Sequence, residues 1–377
     1  MEFNKEKFRK IINKDIEINT YVDGSGPLVI MVHGWPESWY SWRHQINYLV
    51  ENGFSVAVPD MRGYGLSSKP HEIESYNIME LTSDVIAIAD TLGKDTFNLI
   101  GHDWGAPVVW NTSLYHADRV DKVCGMSVPH QISKMPPIET MKFLFKDVFF
   151  YMLYFQKEGL VEKELEKDMR KSLLAIYSSI SSNGQKMETF EPKLFKKEMT
   201  FLKSMGEHTE IPHFLNKEDF DYYLNEFTRG GMRGPINWYR NIDRNWEMTK
   251  DTHEKKISPL SCFIVGEDNP ASATFKSFLA ISTSILAFIR SLLFARANST
   301  VASIEFGTID NASGLNLGFI RLLVSTASVL KSFSKVNTAD LKLFSSVITV
   351  FCALANWRLA LSTSDAKPDP TCTLISS

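Results

Sequence analysis

Cysteine is scarce in this chain of 377 residues: Cys124, Cys262, Cys352 and Cys372 stand far apart, and none falls in a C-x-x-C pair. That spacing offers neither a disulfide framework nor a zinc site, so the four read as small buried hydrophobes and no metal is expected. Basic excess is missing too, since 41 Lys and Arg face 44 Asp and Glu for a formal charge of −3. Nucleic acid is therefore excluded as an expected partner. The opening MEFNKEKFRKIINKD has no apolar stretch ending in small residues. No export signal is read there, and a cytoplasmic location is expected. Long apolar runs are also lacking: 277–294 is broken by Arg290, and 343–355 falls short of the ~20 residues a membrane span needs. A membrane is not an expected partner. Histidine leaves a gap of its own, because all nine lie between His33 and His253.

What is present suits a globular protein, with 44% hydrophobic and 12% aromatic residues. LVIMV (28–32) is an unbroken apolar run that stops at His-Gly, and FSVAVPD, FNLIG, KVCGMSV and SCFIVG repeat the design. Such β-rich runs, alternating with longer segments, predict strands buried on both faces and hence a mainly parallel sheet with crossover helices. The fold class is α/β. Trp42, Ile46, Leu49 and Val50 recur at helical spacing before Asn52-Gly53, which predicts one such helix. Residues 132–245 carry helical patterns such as Val161, Leu165, Met169 and Leu173, and they read as a helical lid inserted into the sheet domain. The core is accordingly expected over 1–131 and 246–270. The segment 271–377 holds eighteen serines and no histidine, tyrosine or methionine, and nothing in it resembles the earlier strand ends.

GHDWG (101–105) has the outline of a nucleophile elbow with aspartate in place of serine. FNLI enters it and a helix-like APVVWNTSLY leaves it, the strand–turn–helix setting the motif requires. Asp103 would stand at a sharp turn, with Gly101 and Gly105 allowing close packing. An aspartate that merely caps the next helix is the alternative. Upstream, LVIMV ends in His33-Gly34-Trp35-Pro36. The backbone N–H groups of Trp35 and Trp104 would make an oxyanion hole; a tight turn fixed by Gly and Pro is the plainer reading.

HGWPESWYSWRHQ, PDMRGYGLSS and GHDWG together resemble the soluble epoxide hydrolases of the α/β-hydrolase fold family, over roughly residues 15 to 268. FYMLYFQKEG (150–159) and RGPINWYRN (233–241) are similar to that family's lid segments, each of which supplies one tyrosine above the nucleophile. The resemblance implies Tyr151 and Tyr239 as the pair, with Tyr154 ranked lower. It implies an apolar epoxide and water as partners, no cofactor, and a pocket that includes His33, Pro36 and Tyr154. Asp103 would open the epoxide to an alkyl ester, the tyrosines would donate to the departing oxygen, and water would release a vicinal diol.

The final step normally needs a histidine oriented by a second acid. FIVGE (263–267) resembles the strand leading to that acid, but the expected position falls on Asn269, with Asp268 one place early. No histidine follows. His33 and His102 near the pocket read as packed or hydrogen-bonded structural residues, while His208, His213 and His253 read as surface or lid residues. Two explanations stand: an ending foreign to the fold from about 270, or a true tail on a protein that has become a binder or single-turnover trap. A haloalkane dehalogenase-like hydrolase and a non-catalytic ligand-binding protein are the alternative functions.

Overall fold

In a computed structural model, residues 3–130, 133–180, 196–252, 255–266, 305–310 and 316–321 are described. The continuous apolar runs become central strands: β3 (Leu28–Val32) and β4 (Ser55–Pro59) have every residue buried. With β1 (Phe8–Asn13), β2 (Ile16–Gly24), β5 (Phe97–His102), β6 (Val120–Met126) and β7 (Leu260–Ile264) they form one sheet in the order β1-β2-β4-β3-β5-β6-β7. The four pairings from β4 through β3, β5 and β6 to β7 are parallel, whereas β1/β2 and β2/β4 are antiparallel. The α/β expectation holds.

The antiparallel hairpin at the edge was not anticipated. FRKIIN mixes charged residues with apolar ones because β1 buries only Ile11 and Asn13 and leaves the rest half-buried or exposed. Lys14, between the strands, takes a φ of 57°.

Three crossover helices cover the sheet, α1 (Arg43–Glu51), α2 (Ile78–Thr91) and α3 (Gly105–Tyr115). In α1, Ile46 and Leu49 are buried, as their spacing requires. The start of α2 is fixed by Asn77, whose Oδ1 accepts from the N–H groups of Met79 and Glu80 at 3.0 and 3.1 Å. Such a cap contributes about 1 kcal/mol.

Between β6 and β7 come α4 (Pro137–Leu144), α5 (Tyr151–Phe155), α6 (Leu160–Leu165), α7 (Met169–Ser179), α8 (Phe201–Met205), α9 (Lys217–Gly230), α10 (Arg233–Arg240) and α11 (Ile242–Met248). The pattern Val161, Leu165, Met169, Leu173 runs through two of these helices. A 3-10 turn over Glu166–Asp168 joins them, Asp168 caps α7 through the Lys171 N–H at 2.9 Å, and all four apolar side chains are buried.

Main-chain contact seats α10 on the sheet domain. A Cβ at Gly234 would lie 2.7 Å from the Cα of Gly63, and the indole N–H of Trp238 donates to the Arg62 carbonyl at 3.2 Å. The loop beneath is rigid because the buried Arg62 guanidinium grips both oxygens of buried Asp84, each at 2.6 Å. Two charges out of water persist only when so paired. On α9, Asp219 accepts from Arg43 and from the Tyr40 hydroxyl, both at 2.8 Å, tying this helix to the start of α1.

A separate unit spanning Thr274–Ala353 contains an antiparallel pair, β8 (Glu305–Asp310) and β9 (Asn316–Arg321). This pair was not read from the sequence of 271–377. The missed signal is local: EFGTID and NLGFIR flank NASGL, a short glycine-containing stretch of turn residues. Among the described residues no helix is long and apolar enough to cross a membrane; 277–294 and 343–355 lie outside them.

Candidate active site

The elbow forms where β5 gives way to α3. Asp103 takes a φ of 50°, a conformation that is uncommon for any residue but glycine and that lifts its side chain out of the strand. Three glycines make room. A Cβ at Gly101 would meet the Gly105 carbonyl at 2.2 Å, one at Gly105 would meet the Val32 carbonyl at 2.2 Å, and one at Gly34 would overlap the Asp103 Cβ at 2.3 Å. The turn after β3 is thereby pressed against the Asp103 side chain.

That pressure aims a donor. The Trp35 N–H donates to Oδ1 of Asp103 at 2.8 Å. Burial is the largest influence on the carboxyl and raises its pKa. A proton on neighbouring His102, when present, and the Trp35 N–H pull the other way.

Tyr151 opens α5 and Tyr239 lies near the end of α10, with ring centroids 5.9 Å apart at 75°. Burial lifts both phenols well above the ordinary tyrosine value, and the charge of Asp103 lifts each further. Both therefore hold their protons at neutral pH and face the electrostatic reach of one carboxylate. The Trp104 ring packs edge-on against that of Tyr239, with centroids 5.0 Å apart. Trp35 packs edge-on against Phe155, Phe201 and Tyr239 at 5.6, 5.9 and 5.7 Å, so the walls about the phenols are apolar.

The other residues singled out in the sequence take different places. His33 is wholly buried; its Nδ1 meets the Gly34 carbonyl at 2.9 Å and its Nε2 accepts from the Met61 N–H at 3.1 Å. Burial lowers its pKa, so the neutral ring braces the turn and leaves no atom for a substrate. Pro36 is buried and its carbonyl accepts from the Tyr177 hydroxyl at 2.7 Å. The Tyr154 hydroxyl is engaged by Glu164 at 2.9 Å, unlike Tyr151, because Glu164 also caps the Phe201 and Leu202 N–H groups nearby. Asp268, Asn269 and His253 lie outside the described residues. Strand β7 does reach the site's flank, since the Ile264 carbonyl accepts from the Ser127 N–H at 2.9 Å.

Three residues escaped the sequence reading. Glu37 accepts from the Gly34 N–H at 3.0 Å and meets Nδ1 of His102 at 2.8 Å. Its signal was present, a carboxylate just past the glycine of HGWPE. Ser127 contacts Nε2 of His102 at 3.0 Å, and no motif marks it. The buried Tyr64 hydroxyl has no hydrogen-bond partner among the described residues. No three His, Cys, Asp or Glu residues among the described ones gather to hold a metal ion.

Residues 27–161 match the family model of the α/β-hydrolase fold. Epoxide hydrolase A of Mycobacterium tuberculosis is 42% identical over 245 residues, 65% of this chain and 76% of that protein. The bifunctional epoxide hydrolase 2 of Sus scrofa is 35% identical over 262 residues, and this chain spans 46% of its length. Among solved structures, epoxide hydrolase A from Mycobacterium thermoresistibile superposes with a TM-score of 0.65 at 39% identity, over 69% of this chain and 82% of that one. With an aspartate elbow, the paired phenols and these relatives in view, the chain belongs to the epoxide hydrolases of the α/β-hydrolase fold family.

Proposed function

We propose that the chain opens apolar epoxides through attack of the Asp103 carboxylate on a ring carbon. The observation that carries this reading is the pair of phenols, half-buried Tyr151 and buried Tyr239, held within the field of the elbow carboxylate. Attack forms an alkyl ester and breaks the ring C–O bond; the freed oxygen takes a proton from one of the phenols. Water then adds to the ester carbonyl, its released proton returns to the phenolate, and the N–H groups of Trp35 and Trp104 receive the oxyanion. Cleavage releases a vicinal diol and restores Asp103.

The second step needs a base, with Asp268 as the proposed acid that would orient it. No histidine follows His253 in the sequence. Loss of a general base slows such a step by about 10²–10⁴-fold. We therefore infer that the ester accumulates. Intact mass after exposure to an aryl epoxide such as styrene oxide is expected to rise by one epoxide per chain, with the gain lost in Asp103→Asn. A mass that does not change, with no diol formed, overturns the reading. A halide would depart without needing a proton, so the two phenols favour epoxides over haloalkanes; chloride release from a chloroalkane without diol formation would reverse that order.

A further inference from the structure

Beside the elbow lies a second set of groups that the epoxide reaction leaves unused. Oε1 of Glu37 meets Nδ1 of His102 at 2.8 Å, and Nε2 of His102 meets Oγ of Ser127 at 3.0 Å. A carboxylate on Nδ1 fixes the tautomer with its proton there, which leaves Nε2 as the acceptor of the serine hydroxyl proton. Nucleophile, base and orienting acid thus stand in the arrangement that activates a serine, which is recognised by geometry and roles and not by position in the chain.

The backbone supplies an independent observation. Ser127 has a φ of 68°, and it and Asp103 stand at the ends of the adjacent parallel strands β6 and β5. Its N–H is tied to the Ile264 carbonyl and the Asp103 N–H to the Met126 carbonyl, so both strained residues are held by neighbouring chain. Non-glycine residues kept in the left-handed region gather at functional sites. Ser127 and Glu37 are both half-buried and His102 retains 16% of its side-chain exposure, so the group is not sealed from solvent.

We propose that Ser127 is a second nucleophile of this chain, with His102 as its base and Glu37 as the residue that positions the imidazole, and that it accepts acyl groups from small aryl esters. In the step, Oγ bonds to the acyl carbon while its proton passes to Nε2. The bond from acyl carbon to aryl oxygen then breaks, and the imidazolium returns the proton to the departing phenolate. Water later attacks the acyl-serine through the same base, releasing the carboxylic acid and restoring the hydroxyl. An aryl ester suits the site because a stabilised phenolate leaves readily. Asp103 takes no part, so this inference stands apart from the epoxide reading.

Rapid mixing of the full chain with p-nitrophenyl acetate tests it. Phenolate is expected in a burst of one equivalent per chain, with one acetyl group on the peptide that carries Ser127. Ser127→Ala should lose the burst, and His102→Gln should slow acylation by about 100-fold or more, the usual scale of a lost base. Glu37→Gln should lower the acylation rate constant while leaving the half-saturating ester concentration unchanged, a split that simple loss of structure would not produce. The peptide map of the unaltered chain decides the matter even where a variant fails to fold. No burst, or an acetyl group on Asp103, a lysine or any other residue, overturns the proposal.

Discussion

The backbone N–H of Trp35 lies 2.8 Å from Oδ1 of Asp103, although 68 residues separate them in the chain. The contact joins the turn after β3 to the turn after β5, two neighbouring parallel strands whose ends the sheet brings side by side. One donor thereby serves twice in the proposed cycle, steadying the carboxylate before attack and the oxyanion during ester cleavage.

Gly34→Ala tests that contact. The added Cβ would sit 2.3 Å from the Asp103 Cβ and 2.8 Å from the His102 carbonyl, and neither neighbour is a flexible chain end. Displacing one such donor costs about 10²–10³-fold in rate. Adduct formation with an aryl epoxide is expected to fall by that order while circular dichroism keeps its native shape.

Tyr151→Phe and Tyr239→Phe should each slow ring opening by roughly 10²-fold or more, because each removes a proton donor for the departing oxygen. The double variant should be slower than either. Single-turnover rates with one epoxide separate these outcomes, and equal rates for all three would remove the tyrosines from the mechanism.

The pH profile of alkylation follows from two raised pKa values. Asp103 attacks only when ionised, and burial lifts its carboxyl above the ordinary range, so the rate should fall as acidification passes through that raised value. The phenols act only when protonated, and burial lifts them also, so no loss is expected near the ordinary tyrosine pKa of ~10. An acid limb at the usual aspartate value, about 4, or an alkaline limb near 10 would contradict this assignment.

Asp84→Ala should destabilise the fold by about 3–5 kcal/mol, the cost of leaving a buried charge without its partner. The charge left behind is Arg62, held by both oxygens of Asp84 beneath the lid. Urea unfolding of the variant beside the original chain measures the difference.

Much of this architecture was legible in the sequence. LVIMV and SVAVP announce buried strands because burial on both faces favours apolar residues, and both are buried throughout. The elbow was legible for a similar reason, as close backbone approach restricts Gly34, Gly101 and Gly105 to one residue type. The edge hairpin was not, since FRKIIN faces solvent on one side and tolerates charge. Side-chain partnerships were less visible still. Nothing local distinguishes the Tyr154 hydroxyl, bound by Glu164, from that of Tyr151 three residues earlier; only the packing of α6 and α8 decides it. Ser127 meets His102 across two strands, a relation that exists only once the sheet has formed.

The seat of α10 has a bearing on how this enzyme would change over time or in the laboratory. Because Gly63 and Gly234 meet main chain to main chain, with the Tyr76 side chain against both, the height at which Tyr239 hangs is set by backbone contact rather than by the wall residues. Wall positions such as Phe155 and Phe201 can then vary in bulk without dragging the phenol along. Selection for a wider or narrower epoxide would find its freedom in those walls, and the reacting groups would keep their spacing while it did so.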